Sequence, residues 1–273
     1  MSNPLSVTGR STVGMVRTLV THARLLTAIT RVELSKKYAG SVLGASWLIL
    51  QPALLLSVYL FVYLVVFKMR FPGFSSLGYA LYVFTGLIPY MATIEAVTSG
   101  AVSIKQNIHL VKNVMLPIEL VPVRAVLVAS MTQAVGLVVI ILMSALNGTL
   151  GPYLAFLPVV WALHLVMLFG VVWILASLAV ALPDISYFVN LFLFLLMWVS
   201  PIGFTPDMVP KELAAVLYVN PVYYLVEMYR DCLLFGTLPP LFDAAVFTLM
   251  AVVLFAIGST FFRAFRGILL DYE

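Results

Sequence analysis

Apolar residues run through this chain in long unbroken stretches, and the polar positions fall between them. Six stretches, near 45–67, 79–103, 120–146, 153–182, 187–204 and 241–262, are apolar almost throughout. A helix rises about 1.5 Å per residue, so roughly 20 such residues cross the hydrocarbon of a bilayer. Lipid offers no partner to a bare N–H or C=O, so a spanning segment must satisfy its own backbone. Continuous runs predict helices; a barrel would show short alternating strands. The stretches at 120–146 and 153–182 are long enough to tilt or to extend into water. The expected fold is all-α and integral to the membrane, with six transmembrane helices.

Composition supports this. The chain is 63% hydrophobic and 10% charged, where a soluble domain carries about 25% charged residues. Its formal net charge of +4 does not point to nucleic acid as a partner. Cys232 is the sole cysteine, which excludes an intrachain disulfide and a cysteine-held metal, and no metal site is expected. No continuous apolar core occurs in 1–37, so no cleavable signal peptide is expected.

Arg10, Arg17, Arg24, Arg31, Lys36, Lys37, Lys105, Lys112, Arg124, Arg263 and Arg266 fall on one side of the predicted membrane. Lys68, Arg70, Lys211 and Arg230 fall on the other. Basic loops stay cytoplasmic, so both termini are expected there. A cytoplasmic segment 1–44 then precedes a six-helix membrane domain, 45–273.

Four segments depart from simple spans. Arg10, Arg17, Arg24 and Arg31 recur every seven residues, opposite Met15, Leu19 and Leu26, with Val16 and Ala23 beside these. This is an amphipathic helix lying in the membrane interface. It serves either as an anchor alone or also as a contact for a cytoplasmic partner. Within about 104–117, Ile104, Ile108, Val111 and Met115 form one helical face, and Lys105, His109 and Lys112 form another, before Pro117 stops the helix. Such a helix either docks in a groove of another protein or lies on the membrane.

The connection 205–240 holds a second short helix. Asn220 suits its cap, Pro221 its first turn and Gly236 its end. Val222, Leu225, Tyr229 and Leu233 share one face, while Glu227, Arg230 and Asp231 can pair among themselves. It is too short to span and too apolar for a free loop, so it is expected to be re-entrant at the outer surface, either as a lid or as a stabilising helix. Last, Tyr59, Tyr63 and Phe67 lie four apart on the first span, and Tyr187, Phe194 and Trp198 share a face of the fifth. They form either an interfacial aromatic belt or rings that stack on sugar C–H surfaces.

Glu95 and Arg124 stand at matching depth in neighbouring spans and are expected to form an intramembrane ion pair. Glu95 and His164 are the candidates for proton coupling. The chain has no H-E-x-x-H, G-x-S-x-G, paired-carboxylate cluster or G-x-x-x-x-G-K-[ST] loop. Catalysis is not expected, nor is ATP hydrolysis through such a loop. Asn147-Gly148-Thr149 is a glycosylation triplet of a kind frequent by chance.

Five motifs, in order along nearly the whole chain, resemble one family. "KKYAGSVLGASWLILQP" (36–52), through Lys37, Tyr38, Ser41, Leu43, Gly44, Trp47 and Pro52, resembles the approach to the first span in permeases of polysaccharide-exporting ABC transporters. "GLIPY" (86–90) is similar to their second-span motif, with Tyr90 where Trp is usual. "NIHLVKNVMLP" (107–117) carries Asn107, Leu110, Lys112 and Pro117 in the family spacing, with Leu116 where Phe is common. "SPIGF" and "NPVYYLVEMYRDCLL" supply Ser200, Pro201, Asn220, Pro221 and Arg230.

The resemblance implies a homodimeric permease working with two copies of a separate cytoplasmic ATPase, which would hold the ATP and magnesium. It would move lipid-linked O-antigen, capsule or teichoic-acid chains across the bacterial cytoplasmic (inner) membrane. The segment 104–117 would be the coupling helix, through Ile104, Lys105, Ile108, His109, Val111, Lys112 and Met115. Tyr59, Tyr63, Phe67, Phe194 and Trp198 would line the polymer path. The outer helices within 205–240 would gate the exit through Tyr223, Tyr224, Tyr229 and Arg230. Competing readings are an exporter of a small lipid or drug in the same superfamily, a proton-coupled carrier, and a membrane enzyme of lipid-linked sugars. The last lacks the acidic cluster that metal-dependent sugar-phosphate chemistry usually needs.

Overall fold

The structure, a computed structural model, describes residues 4–66, 68, 75–108 and 116–271, with side chains from 12 to 267 within those limits. Its helices are α1 (Pro4–Thr21), α2 (Ala23–Lys37), α3 (Trp47–Leu60), α4 (Ser76–Gln106), α5 (Leu120–Asn147), α6 (Leu157–Ala181), α7 (Ile185–Val199), α8 (Ala214–Val219), α9 (Pro221–Arg230) and α10 (Leu241–Asp271). A tight turn, Gly44–Ser46, leads into α3, which continues through a wider-wound stretch, Phe61–Val66. Gly44–Val66, Ser76–Gln106, Leu120–Asn147, Pro152–Ala181 and Leu241–Gly267 are long and apolar enough to cross a membrane. The chain is an all-helical, multi-pass membrane protein.

Six spans were expected and five helices of spanning length are found among the described residues. The stretch expected at 187–204 is α7, which has 15 residues, about 22 Å of helix against a hydrocarbon core of about 30 Å. It ends because Ser200 precedes Pro201 and is extended, with φ −86° and ψ 145°; the proline ring disfavours the helical region at the residue before it. Hydropathy registers "SPIGF" as apolar and misses this break. The N-terminal segment also differs in form: it is two helices, interrupted at His22, rather than one.

Burial separates the helices by role. In α4, 83% of the most apolar stretch is buried, against 11% in Gly44–Val66. Helix α4 is the centre of the bundle, flanked by α5 and α6, and α6 packs in turn on α10. Its sequence explains this. Tyr79, Tyr82, Thr85, Tyr90 and Thr93 carry polar tips that need protein partners, and all are buried. The outward side of α3, with Leu54, Val58, Phe61 and Val65, is wholly apolar and exposed, as suits a surface solvated by lipid.

Toward one end, Met15 and Leu26 of the N-terminal helices enter a core with Ile104, Trp173 and Phe262. Met15 and Leu26, opposite the arginines, therefore pack on protein, while Val16 and Ala23 beside them are exposed. Arg17, Arg24 and Arg31 are exposed on the other side. At the opposite end of α5, Gly148 adopts φ +73° and closes the helix, with the Thr149 amide donating to the Ser144 carbonyl at 3.0 Å. The Asn-Gly-Thr triplet thus has a capping role.

Helices α6 and α10 meet backbone to backbone. A Cβ on Gly170 would lie 2.2 Å from the Leu254 carbonyl oxygen, and one on Gly258 would lie 2.2 Å from that of Gly170. Small residues permit such contacts in membranes, where burial of apolar surface alone does not hold helices together. Gly170→Ala forces two backbones apart and should destabilise the protein by about 1–3 kcal/mol. A thermal melt of purified protein should show a lowered midpoint; an unchanged midpoint would mean that this contact is not close in the folded protein.

Candidate functional site

Helix α3 presents Trp47, Gln51, Leu55, Tyr59 and Tyr63 at intervals of four, along one side. Tyr59 and Tyr63 stack with their centroids 6.1 Å apart and planes within 3°. Trp198 of α7 lies 6.3 Å from Tyr59 at 20°, and Phe194 meets Trp198 edge-on at 6.4 Å. Trp198 and Phe194 are more than half exposed. A Cβ on Gly203 would come within 2.8 Å of the Tyr59 ring, so the chain after α7 also closes on this cluster. Two distant aromatic stripes thus meet as one ring surface. Of the residues expected there, Tyr59, Tyr63, Phe194 and Trp198 come together, and Phe67 lies outside the described residues. Tyr187, at the far end of α7, is exposed away from them. Tyr79, 6.4 Å from Tyr63, joins the cluster and was not anticipated.

A tyrosine row on α4 fastens the outer segment. Tyr79 donates to the Gly203 carbonyl at 2.8 Å, Tyr82 to that of Phe204 at 3.0 Å, and Tyr90 to that of Leu193. The Gly203 and Phe204 carbonyls lie beyond α7, where the chain has already turned, and that of Leu193 lies within the helix. The spacing of 79, 82 and 90 marks one helical face, a signal readable in the sequence had partners been sought for the hydroxyls.

Arg230 holds the centre of this region and is fully buried. Its Nη1 donates to Glu227 at 2.7 Å, and its Nη2 to the Ile202 carbonyl at 3.1 Å and to that of Tyr82 at 3.3 Å. The guanidinium also sits 3.5 Å from the Tyr82 ring centroid. Gly86 makes room for it: a Cβ there would stand 3.1 Å from Nη2. The expected pairing of Arg230 with Glu227 is present, and the expected caps of α9 hold. Asn220 accepts from the Val222 amide at 2.9 Å and donates to Ser200 at 2.9 Å, and Gly236 takes φ +59°.

The proposed gate quartet divides under this geometry. Tyr229 and Arg230 are fully buried, and Tyr224 is buried with its hydroxyl donating to the Tyr218 carbonyl at 2.9 Å. Tyr223 is half-buried, edge-on to Tyr218 and Tyr224. Their helix contributes its whole apolar face to the core, which pulls the last turn inward.

His164 completes a buried polar chain. Thr93 donates its hydroxyl to the Pro89 carbonyl at 3.0 Å, so it accepts from His164 Nε2 at 3.0 Å. Nδ1 then accepts from the Tyr229 hydroxyl at 3.3 Å, which itself accepts from Gln133 at 2.8 Å. One direction of donation runs through all four side chains and leaves the Gln133 Oε1 without a partner. Glu95 takes no part, so the two proton-coupling candidates are not joined.

The ion pair expected between Glu95 and Arg124 is not formed. Glu95 pairs with Lys37 at 2.6 Å, and Arg124 with Glu33 at 3.6 Å. Helix α2 lies along α5 and brings its own Glu and Lys to the charges on α4 and α5. All four border a cavity of about 340 Å³. Arg266 similarly ties α10 to Glu119 at 3.2 Å. Reading only adjacent spans missed the helix that supplies both partners.

On the expected coupling segment, α4 continues to Gln106. Ile104 is fully buried in the core with Met15 and Phe262 and is not part of a docking face, and Ile108 packs beside it, partly buried. Lys105 is half-buried. His109, Val111, Lys112 and Met115 lie outside the described residues.

Burial pushes the Asp231 carboxyl up to about 7, with the nearby Glu227 and Asp243 carboxylates adding to it and Thr237 and Arg230 opposing. A folded pKa above the unfolded value means that this acid destabilises the fold increasingly as pH rises from about 4 through 7. Asp231→Asn should therefore stabilise the protein more at pH 8 than at pH 5. Thermal midpoints of both forms at the two pH values test this; an equal difference at both would contradict the raised pKa.

Residues 24–234 match the family described as ABC-2 type transporter. Among curated relatives, the O-antigen export system permease protein RfbA of Klebsiella pneumoniae is 26% identical over 217 residues, covering 78% of this chain and 82% of that one. The namesake from Myxococcus xanthus is 25% identical over 257 residues, covering 93% and 97%. The polysialic acid transport protein KpsM of Escherichia coli is 24% identical over 235 residues, covering 85% and 89%. With the family match extending over most of the described helices, the chain belongs to the ABC-2 type transporters.

Proposed function

We propose that this chain is the transmembrane subunit of an ATP-driven exporter that moves lipid-linked polysaccharide across the bacterial inner membrane. The observation that carries the reading is the aromatic surface of exposed Trp198 and Phe194 and half-buried Tyr63, backed by the buried Tyr59 ring, between α3 and α7. Ring faces stack on the C–H faces of sugars without requiring one particular sugar, which suits a long polymer passing in steps. The names of the relatives point the same way, toward O-antigen and polysialic acid.

In this reading two copies of the chain form the path and two copies of a separate ATPase supply the energy. Both termini are cytoplasmic. The segment 104–117 passes the ATPase motion to α4 and α5, which it joins. Lys37 and Glu33 tie α2 to the same two helices, so movement of the N-terminal pair reaches α4 and α5 by a second route. At the outer side, Tyr223 and the residues before α9 are the ones placed to move, since Tyr229 and Arg230 are fixed in the core.

An exporter of a small lipid is the second reading. It is favoured by a wholly apolar cavity of about 480 Å³ between α4, α6, α7 and α9, bordered by Val97, Val171, Phe192 and Leu225. Deleting the gene and assaying surface glycan separates the two. Loss of surface polysaccharide, restored by the wild-type chain, is expected; retained glycan with altered lipid export would favour the second.

Two further outcomes are expected. Tyr63→Ala with Trp198→Ala removes one half-buried and one exposed ring and leaves the buried Tyr59 in place. Each ring contact is worth about 0.5–1.5 kcal/mol, so export should fall roughly tenfold with assembly intact. Surface glycan at the normal level would remove the stacking role. Reversing charge at Lys105 and Lys112 should weaken co-purification of the ATPase; undiminished recovery would remove these residues from the contact.

A further inference from the structure

A second cavity, of about 390 Å³, opens between α3, α4 and α5 and is bordered by Trp47, Gln51, Leu55, Glu95, Thr132 and Gln133. It lies one turn before the aromatic surface on the same side of α3, since Leu55 precedes Tyr59 by four residues. Met197, also on its wall, is next to Trp198. The cavity and the ring surface are therefore successive parts of one track.

Its polar lining has a definite character. Gln133 is 2% exposed, and its Nε2 is held by Tyr229, yet its Oε1 has no partner. Because the Tyr229 hydroxyl donates to His164, it accepts from the Gln133 amide nitrogen, and the oxygen is the atom that remains unmet. A buried polar atom left without a hydrogen bond is costly, which makes it a signal for a ligand. Lys37 donates to Oε1 of Glu95 at 2.6 Å and to Thr132 at 3.2 Å, so one oxygen of the carboxylate that borders the cavity is engaged. Pro52, inside α3, has no N–H to give to the Leu48 carbonyl, and both residues border the cavity. Trp47 uses its Nε1 on Ser41 at 3.1 Å, so its ring face is what it offers.

One oxygen thus lacks a donor, beside a carboxylate, a carbonyl that Pro52 cannot serve and one ring face. The single cation on the wall is already paired with a carboxylate, and Lys36 borders only the neighbouring cavity. A carboxylate- or phosphate-bearing sugar would sit against Glu95 with no cation to balance it. A neutral sugar brings hydroxyl donors and a C–H face, and the volume is within the range of small-ligand sites.

We infer that this cavity is a subsite for an uncharged sugar unit, held by donation to Gln133 and Glu95 and by contact with Trp47, and that the polymer carried has a neutral repeat. The inference rests on the polysaccharide-export reading. Gln133 is missed by periodicity because it is buried among apolar neighbours like any core residue.

The test uses the full transporter in the strain that encodes it. Gln133→Leu removes the unmet atom, while Tyr229→Phe removes the same hydrogen bond from the other side and leaves that atom in place. Surface polymer, normalised to the amount of folded complex, should fall about tenfold for Gln133→Leu and stay near the wild-type level for Tyr229→Phe. Equal effects on export would reduce Gln133 to a structural role and overturn the subsite. Should Gln133→Leu fail to accumulate, Gln133→Met, which keeps the side-chain length, takes its place. Sugar analysis of the polymer lost on gene deletion should find neither acidic sugars nor phosphate; finding either overturns the neutral repeat. If deletion leaves surface polymer unchanged, the export reading itself falls. If deletion abolishes polymer but the Gln133 variants export normally, only the subsite falls.

Discussion

A full positive charge sits inside this bundle, beside the turn that follows α7, and the arrangement around it follows from the need to hold it there. A guanidinium without partners at such a place would be expensive. Arg230 is met by a carboxylate, two backbone carbonyls and an aromatic face, drawn from α9, α4 and the turn after α7. The partners come from three stretches of chain, Tyr82 giving both a carbonyl and its ring. Satisfying one charge therefore joins three segments that the sequence leaves far apart. The Ile202 carbonyl is among those freed when Pro201 ends α7, so the break in that helix and the burial of Arg230 complete each other.

This constraint shapes the site. Because α9 is anchored through Arg230 and Asn220, the turn at 200–204 is fixed against α4, and Gly203 is brought against the Tyr59 ring. The aromatic surface between α3 and α7 depends on that placement. Helix α3 has few buried residues of its own, and its rings are a large part of what connects it to the remainder. A helix held by side contacts rather than by deep burial can shift without unfolding the core, which is a suitable property for the wall of a conduit.

Much of this was legible in the chain, and the boundary of legibility has a physical form. Long apolar runs gave the spanning helices, because lipid permits little else. Asn220, Pro221 and Gly236 gave the limits of the outer helix, and Val222, Leu225, Tyr229 and Leu233 its inward face, because caps and periodicity are local. What failed was partnership. Glu95 and Arg124 match in depth, yet each pairs with α2, since a nearer charge on a third helix wins. Ile104 lies on the right helical face for docking but is taken by the core with Met15. The 15-residue length of α7 was hidden because Ser-Pro-Ile-Gly-Phe is apolar enough to extend a hydropathy plot while its proline ends the helix. Gln133 carried no signal beyond its type; its unmet oxygen exists only once Tyr229 occupies the other end of its amide.

The central claim is that the outer helix is locked into the bundle by one buried charge and moves with α4. Hydrogen exchange of the protein in lipid nanodiscs tests it most directly, because amide protection reports which segments open together. Residues 221–235 should exchange as slowly as the outer turns of α4 beginning at Ser76, and both should speed up together when Arg230 is replaced. Exchange at 221–235 as fast as at the exposed stretch 207–213, with α4 still protected, would show a helix free to lift by itself and would contradict the account.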